Sequence, residues 1–191
     1  AMPGELFPIR WDDAREALVL LDQTRLPRSE NYLSYTAVEA VRDAIRDMVV
    51  RGAPAIGVTA GYGMFLAAKA AHAAGTDIVP ALRAAKALLD ASRPTAVNLA
   101  WATRRMLCFA QAHAALSAPT LLEALKAEAV AIHREDETIC RRIGEGLLAL
   151  LREGDGVLTH CNAGQLATTR YGTATAPMYL AKERGMALHI Y

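Results

Sequence analysis

Long apolar runs are missing from this chain, and none reaches the ~18 residues that a membrane-spanning helix needs. No basic segment followed by an apolar stretch opens it, so it reads as carrying no secretory signal. An excess of charge is lacking too: 21 basic against 20 acidic side chains leave a formal net charge of +1. That balance gives no electrostatic footprint for nucleic acid or an anionic membrane, so any phosphate site must be local. Cysteine is scarce and unpaired. Cys108, Cys140 and Cys161 make no CxxC pair and no His/Cys cluster of the kind that holds zinc. Reduced thiols in a cytoplasmic protein without a metal follow from that pattern. Internal repeats, low-complexity tracts and dinucleotide-binding GxGxxG loops are absent as well.

What remains is apolar and rich in alanine. With 191 residues, 53% of them hydrophobic, the chain can bury the core of one large domain or two small ones. Residues 1–35 are β-rich. Ala17-Leu18-Val19-Leu20-Leu21-Asp22 reads as a strand, a turn containing Pro27 follows, and residues 31–35 pair back as a second strand of a small antiparallel sheet. Residues 36–50 read as an amphipathic helix. Thr36 and Glu39 form a capping box, and Val38, Val41, Ile45, Met48 and Val49 share one face.

Gly52 breaks this helix, and Pro54 suits the first turn of the next, where its missing N–H costs nothing. That second helix, over residues 55–74, is so rich in small and apolar residues that a buried, closely packed position is expected. The free amides at its start and the neighbouring Arg51 make an anion site on physical grounds. A plain helix corner with a surface arginine is the alternative. A third helix is expected over 76–91. Ser92-Arg93-Pro94-Thr95-Ala96 then repeats the order arginine, proline, helix start before a fourth helix that runs to about residue 115. Either Arg51 and Arg93 converge on one phosphate, or both are ordinary helix-end charges.

Thr120 and Glu123 form a second capping box and open a long helix reaching about residue 151. Within it, His133-Arg134-Glu135-Asp136-Glu137 reads as a solvated face with one polar contact rather than a metal site. Cys108 and Cys140 lie within helices and read as buried structural residues. A turn at Glu153-Gly154-Asp155-Gly156 leads into a short buried strand from Val157, which runs into His160-Cys161-Asn162-Ala163-Gly164. A helical segment over 166–184, a C-cap at Gly185 and a second apolar strand from Ala187 complete strand, helix, strand. Open α/β sheets take ligands at the carboxyl ends of their strands, which is where Cys161 falls.

The fold class expected is therefore α/β: a small N-terminal β-sheet plus helical domain, followed by the start of a Rossmann-like parallel α/β domain. The expected divisions are residues 1–118, a connecting helix over 119–152, and an incomplete first βαβ unit over 153–191. A lone βαβ unit leaves strand edges unpaired, so the sequence is expected to be the N-terminal part of a longer protein.

Three stretches, taken in order, resemble one family. They are Asp47-Met48-Val49-Val50-Arg51-Gly52-Ala53-Pro54-Ala55-Ile56-Gly57, then Arg93-Pro94-Thr95-Ala96-Val97-Asn98-Leu99, then Leu158-Thr159-His160-Cys161-Asn162-Ala163-Gly164 with Leu166-Ala167-Thr168 and Tyr171-Gly172-Thr173-Ala174. Leu20-Leu21-Asp22-Gln23-Thr24 also fits. Over essentially the whole chain the set resembles methylthioribose-1-phosphate isomerase, an enzyme of methionine salvage. Its superfamily includes ribose-1,5-bisphosphate isomerases and regulatory subunits of a translation-initiation nucleotide-exchange factor.

The resemblance implies a cofactor-free aldose–ketose isomerisation of 5-methylthioribose 1-phosphate by a cytoplasmic homodimer. Ribose 1,5-bisphosphate is the alternative substrate, and a non-catalytic regulatory or assembly member is the alternative class. By the same resemblance Arg51, Gly52, Ala53 and Arg93 bind the substrate, mainly its phosphate. Cys161 is the catalytic thiol, relaying a proton or stabilising the transition state while a hydride moves. The family's second catalytic group is an aspartate well downstream, accompanied by an asparagine–lysine pair. Neither matches anything in residues 1–191, so this stretch alone is expected to be inactive.

Overall fold

A computed structural model describes residues 6–191, and residues 1–5 of the expected β-rich stretch lie outside it. Three strands form an antiparallel sheet in chain order: β1 (Ile9–Asp12), β2 (Ala17–Leu21) and β3 (Tyr32–Tyr35). All five residues of β2 are buried. A strand covered on both faces reads as an unbroken apolar run, which is why it stands out in the sequence. β1 was not expected. Its Ile-Arg-Trp-Asp sequence is held by the pairing of Ile9 with Leu20 and Trp11 with Leu18 rather than by its own pattern.

The first helix, α1 (Val38–Arg46), is shorter than residues 36–50, and Ala37 rather than Thr36 is its N-cap, without a side-chain hydrogen bond. The expected capping box does not form. Met48 adopts φ +60°, so the helix ends before it, and the Val49 carbonyl instead accepts from Gln23 N at 3.0 Å. Met48 is therefore exposed, while Val50 is buried.

The central element is α2 (Ala53–Ala73), against which α1, α3 (Ile78–Ser92), α4 (Val97–Ala112) and α5 (Ala118–Leu148) all pack. Its small residues permit this. A Cβ on Gly57 would lie 3.0 Å from the Asn98 carbonyl, one on Gly61 3.3 Å from Ile132, and one on Gly63 3.1 Å from Val41. Each glycine thus faces a different neighbour, and the close packing expected from the sequence is what the helix shows. α5 begins at Ser117, whose Oγ accepts from Thr120 N, so the cap lies three residues before the expected Thr120. At 31 residues the helix is about 46 Å long. Its first half packs on α2 and its second on α6 (Ala176–Glu183).

The last strands are β4 (Gly156–Val157) and β5 (His189–Ile190), paired in parallel. With α6 between them they form the expected strand–helix–strand unit, so the chain is α/β with a helical majority. Two expectations are corrected here. The strand from Val157 is two residues long and Leu158 is 80% exposed, so it is not a buried strand. Residues 166–184 are not one helix: a 3₁₀ turn at Gln165–Ala167 and an irregular segment precede α6. Gly185 ends α6 as expected, with φ +73°; Gly185 N bonds the Lys182 carbonyl and Met186 N the Ala181 carbonyl. That is the paired bonding of a glycine-terminated helix.

The apolar core falls into two clusters. The larger joins β1, β2 and α1 to the first half of α5. The smaller comprises Cys140, Leu148, Tyr171, Ala176, Leu180 and Ala181. Among the described residues no helix is long and apolar enough to cross a membrane.

Candidate functional site

Among the described residues, the start of α2 leaves its first amides unpaired. Gly52 is its N-cap at φ +100°, no side chain caps it, and no acidic residue stands in its first turn. The first bond of the helix runs from Ile56 N to the Gly52 carbonyl, leaving the earlier amides without an intrahelical partner. Pro54 has no N–H to leave unpaired. Arg51 immediately precedes the helix and is exposed. Amide donors, the positive end of the helix dipole and a guanidinium with no nearby acid in the first turn favour a negative group here.

Arg93 is placed differently from expectation. It is the C-cap of α3, and α4 begins only at Val97 with Ala96 as N-cap, so Pro94 does not start the helix. Arg93 Nη1 is nonetheless buried and has no hydrogen-bond partner among the described residues. A buried guanidinium N–H without an acceptor is costly and calls for one. The close approach of Gly57 to Asn98 brings the segment after Arg93 against the beginning of α2.

Cys161 follows β4 in a bend, exposed and at φ +70°. Left-handed backbone at a non-glycine residue is uncommon and concentrates at functional sites. The chain behind it is held firmly. The Ala163 carbonyl accepts from Thr173 N at 3.0 Å and from Thr175 Oγ1 at 3.2 Å. Thr168 Oγ1 accepts from Gly172 N and donates to the Arg170 carbonyl. Four contacts then tie this segment to earlier parts of the chain, one of them the bond that Gln165 Nε2 donates to the Leu6 carbonyl. Gln23 Nε2 donates to the Leu166 carbonyl at 2.8 Å. Asp136 Oδ2 accepts from Thr169 N at 2.9 Å and Thr169 Oγ1 at 2.7 Å. A Cβ on Gly52 would fall 2.5 Å from Ala167 Cα, so only glycine lets the two backbones meet.

The structure thus brings together the Arg51-Gly52-Ala53 turn and the segment following Cys161, with the residues after Arg93 alongside. No hydrogen bond among the described residues joins the thiol itself to these. The sequence reading missed the roles of Gln23 and Thr169, and it gave Asp136 only an unspecified polar contact.

A cavity of about 610 Å³ opens between the first turns of α2 and α4 and the middle of α5. Pro54, Val58, Trp101 and Ile132 supply apolar walls, and Asp136 a carboxylate. Its lining includes the residues next to Ala53 and Arg93 in the chain, but not Arg51, Arg93 or Cys161. It therefore flanks the expected site without containing it.

Around α5, burial keeps two side chains uncharged. It pushes the His133 imidazole pKa down and the Tyr62 phenol pKa up. The phenol oxygen and His133 Nδ1 share a hydrogen bond of 2.9 Å. Burial, reinforced by the Asp136 charge, raises the Cys140 thiol to about 11, so it stays protonated as a structural residue should. Cys108, expected to be buried as well, is exposed on α4. Among the described residues no group of three His, Cys, Asp or Glu side chains is arranged to hold a metal ion.

Residues 49–191 match the Initiation factor 2 subunit family. Two curated relatives bear the name 5-deoxyribose 1-phosphate isomerase. The protein of Clostridium botulinum strain Langeland is 52% identical over 189 residues, which is 98% of this chain and 54% of that protein. The protein of Bacillus thuringiensis strain Al Hakam is 54% identical over 191 residues, covering 100% of this chain and 54% of that protein. The chain spans about half the length of these curated relatives.

Two solved structures superpose on it. The 5-methylthioribose 1-phosphate isomerase of Pyrococcus horikoshii gives a TM-score of 0.86 at 31% identity, over 97% of this chain and 52% of that one. The translation initiation factor eIF-2B subunit delta of A. fulgidus gives 0.84 at 36%, over 97% and 54%.

Proposed function

The chain belongs to the Initiation factor 2 subunit family, and on that premise we propose that it forms the anion-binding and thiol-bearing part of a sugar 1-phosphate isomerase. Its substrate is a ribose 1-phosphate without a 5-hydroxyl: 5-methylthioribose 1-phosphate or 5-deoxyribose 1-phosphate. The observation that carries the reading is the meeting of Gly52 with Ala167, which sets an uncapped helix start against the segment behind an exposed cysteine. Arg93 Nη1, buried without an acceptor, supports it.

The chemistry explains the parts. The anomeric oxygen carries the phosphate, so no free aldehyde is in equilibrium with the ring. The ring must be opened on the protein by protonating its oxygen. Hydrogen then leaves C2 and arrives at C1, and the aldose phosphate becomes the ketose phosphate with no external oxidant or reductant. Arg51, Arg93 and the amides at Gly52 and Ala53 hold the phosphate and fix C1. Cys161 serves the proton or hydrogen movement at C1 and C2.

The test is to incubate the full-length protein with 5-methylthioribose 1-phosphate, 5-deoxyribose 1-phosphate and ribose 1,5-bisphosphate, and to follow the ketose by NMR. Ketose is expected from the two 5-deoxy sugars. Cys161→Ser should lower kcat by about 10²–10⁴-fold, the range for loss of one acid–base group. Near-normal turnover in that variant defeats the reading. Failure to convert any of the three sugars favours the second reading, a non-catalytic assembly member, which the likeness to eIF-2B subunit delta supports.

A further inference from the structure

We propose that Asp136 is a positioning residue for Cys161, acting through Thr169 with Gln23 as a second point of attachment. The clamp couples the thiol-bearing loop to the anion-binding start of α2. The chemistry it serves rests on the isomerase reading above; its geometry does not.

Three separate parts of the chain hold three of the four residues 166–169. Gln23, following β2, holds the Leu166 carbonyl. Gly52, at the start of α2, abuts Ala167. Asp136, on α5, takes both the amide and the hydroxyl of Thr169, which is 1% exposed. Thr168, between them, braces the turn at Gly172. On its other side Cys161 has β4, two residues long, and one backbone bond from Thr159 N to the Tyr191 carbonyl. The position of the thiol relative to Arg51 and Ala53 is therefore set chiefly from the gripped side.

The anchor is itself fixed. One turn before Asp136, Ile132 packs on Gly61 and His133 is hydrogen-bonded to Tyr62, while further on Gly144 lies against Ala176 and Leu180. A carboxylate suits the task because one oxygen accepts two charge-assisted bonds from a residue shielded from water.

The experiment uses the full-length protein, with inorganic phosphate as probe of the anion site and iodoacetamide as probe of Cys161. In the wild type, saturating phosphate slows alkylation of Cys161, because thiol and anion share one site. In Asp136→Ala and Gln23→Ala phosphate still binds, but this protection is lost. The kcat for ketose formation falls by up to about 10²-fold with KM little changed, as expected for a misplacement near 1 Å. Asp136→Asn, whose amide oxygen still accepts from Thr169, regains most of both properties.

Wild-type kcat with full protection in Asp136→Ala overturns the proposal, as does absence of protection in the wild type. So does an Asp136→Asn protein that loses kcat as severely as Asp136→Ala in step with its thermal stability. If circular dichroism shows Asp136→Ala unfolded, Thr169→Val and Gln23→Ala decide by the same two readouts. Failure of the isomerase reading shows separately, as a wild type that makes no ketose, and the protection assay then still reads the clamp.

Discussion

Gly52 carries two constraints whose costs add. Its φ of +100° is backbone that side-chain-bearing residues rarely adopt, and a Cβ there would lie 2.5 Å from Ala167 Cα and 2.7 Å from the Ala167 carbonyl oxygen. Because the obstructing atoms are backbone, no rotamer change relieves the clash, and one of the two segments must move. Gly75 is the internal comparison: its φ is +67°, but nothing lies within 4 Å of its Cβ position. Gly75→Ala should therefore cost only the backbone strain, about 1–2 kcal/mol. Gly52→Ala should cost about 1–3 kcal/mol more in thermal unfolding, the range for forced overpacking. It should also weaken inorganic phosphate binding in calorimetric titration, since the amides it displaces are those offered to the anion. A folded Gly52→Ala protein with wild-type phosphate affinity would remove the anion role from this turn. The turn was legible in the sequence because glycine before proline at a helix start is a local signal. Arg93 was legible as a candidate for the anion, but the burial of its Nη1 without a partner was not. The contacts of Gln23 and Thr169 were not legible, although Gln23 stands in a stretch that fits the family: their partners stand 143 and 33 residues away in the chain.

At the scale of elements, α5 is a beam whose two halves meet different partners, and its glycines show how tightly each surface is fitted. A Cβ on Gly144 would lie 2.8 Å from Leu180 Cδ1, 2.9 Å from Ala176 Cβ and 3.0 Å from the Ala176 carbonyl carbon. Gly146, in the last turn of the same helix, has nothing within 4 Å. Alanine gains about 1 kcal/mol over glycine in a helix interior. At position 144 overpacking costs about 1–3 kcal/mol, and since two of the three obstacles belong to Ala176, the cost exceeds the gain. Gly144→Ala should thus lower the melting temperature, while Gly146→Ala should raise stability by about 0.5–1 kcal/mol. Equal shifts of the same sign in the two variants would show that α6 does not seat on Gly144 as described. The buried α2 and the length of α5 were readable because apolar spacing is repeated over many residues. Both expected capping boxes failed because Thr-x-x-Glu is satisfied at two positions by chance, and the cap is decided by where the preceding loop delivers the chain: Ala37 for α1 and Ser117 for α5. The strand at Val157 was overread for the opposite reason, since the apolar pair Val157-Leu158 carries no information about its neighbours.

For the whole molecule, the two apolar clusters differ in size, and so should their resistance to opening. The larger contains the fully buried Leu18, Leu20, Tyr62, Leu82 and Leu99, each contributing about 1.5–3 kcal/mol by leaving water. The smaller contains three alanines or cysteines among its six buried members, and its sheet has two strands of two residues each. The division proposed at residues 118 and 152 assigns the first cluster to one unit and α6 with β4 and β5 to another, with α5 shared between them. Local openings follow buried apolar contact, so amides of β4, α6 and β5 should exchange before those of β2 and α2. In the 191-residue chain the expected gap is about a hundredfold in exchange rate, equivalent to roughly 3 kcal/mol of opening free energy. Amides of α5 after Cys140 should follow α6, because Leu148 and Gly144 lose their cover when α6 leaves. Those before Ile132 should follow α2. Hydrogen exchange read by mass spectrometry locates the step along α5 directly. A uniform profile along that helix, with α6 as protected as α2, would mean that the chain opens as one unit and that the clamp at Gln23, Gly52 and Asp136 binds the two clusters into a single cooperative body.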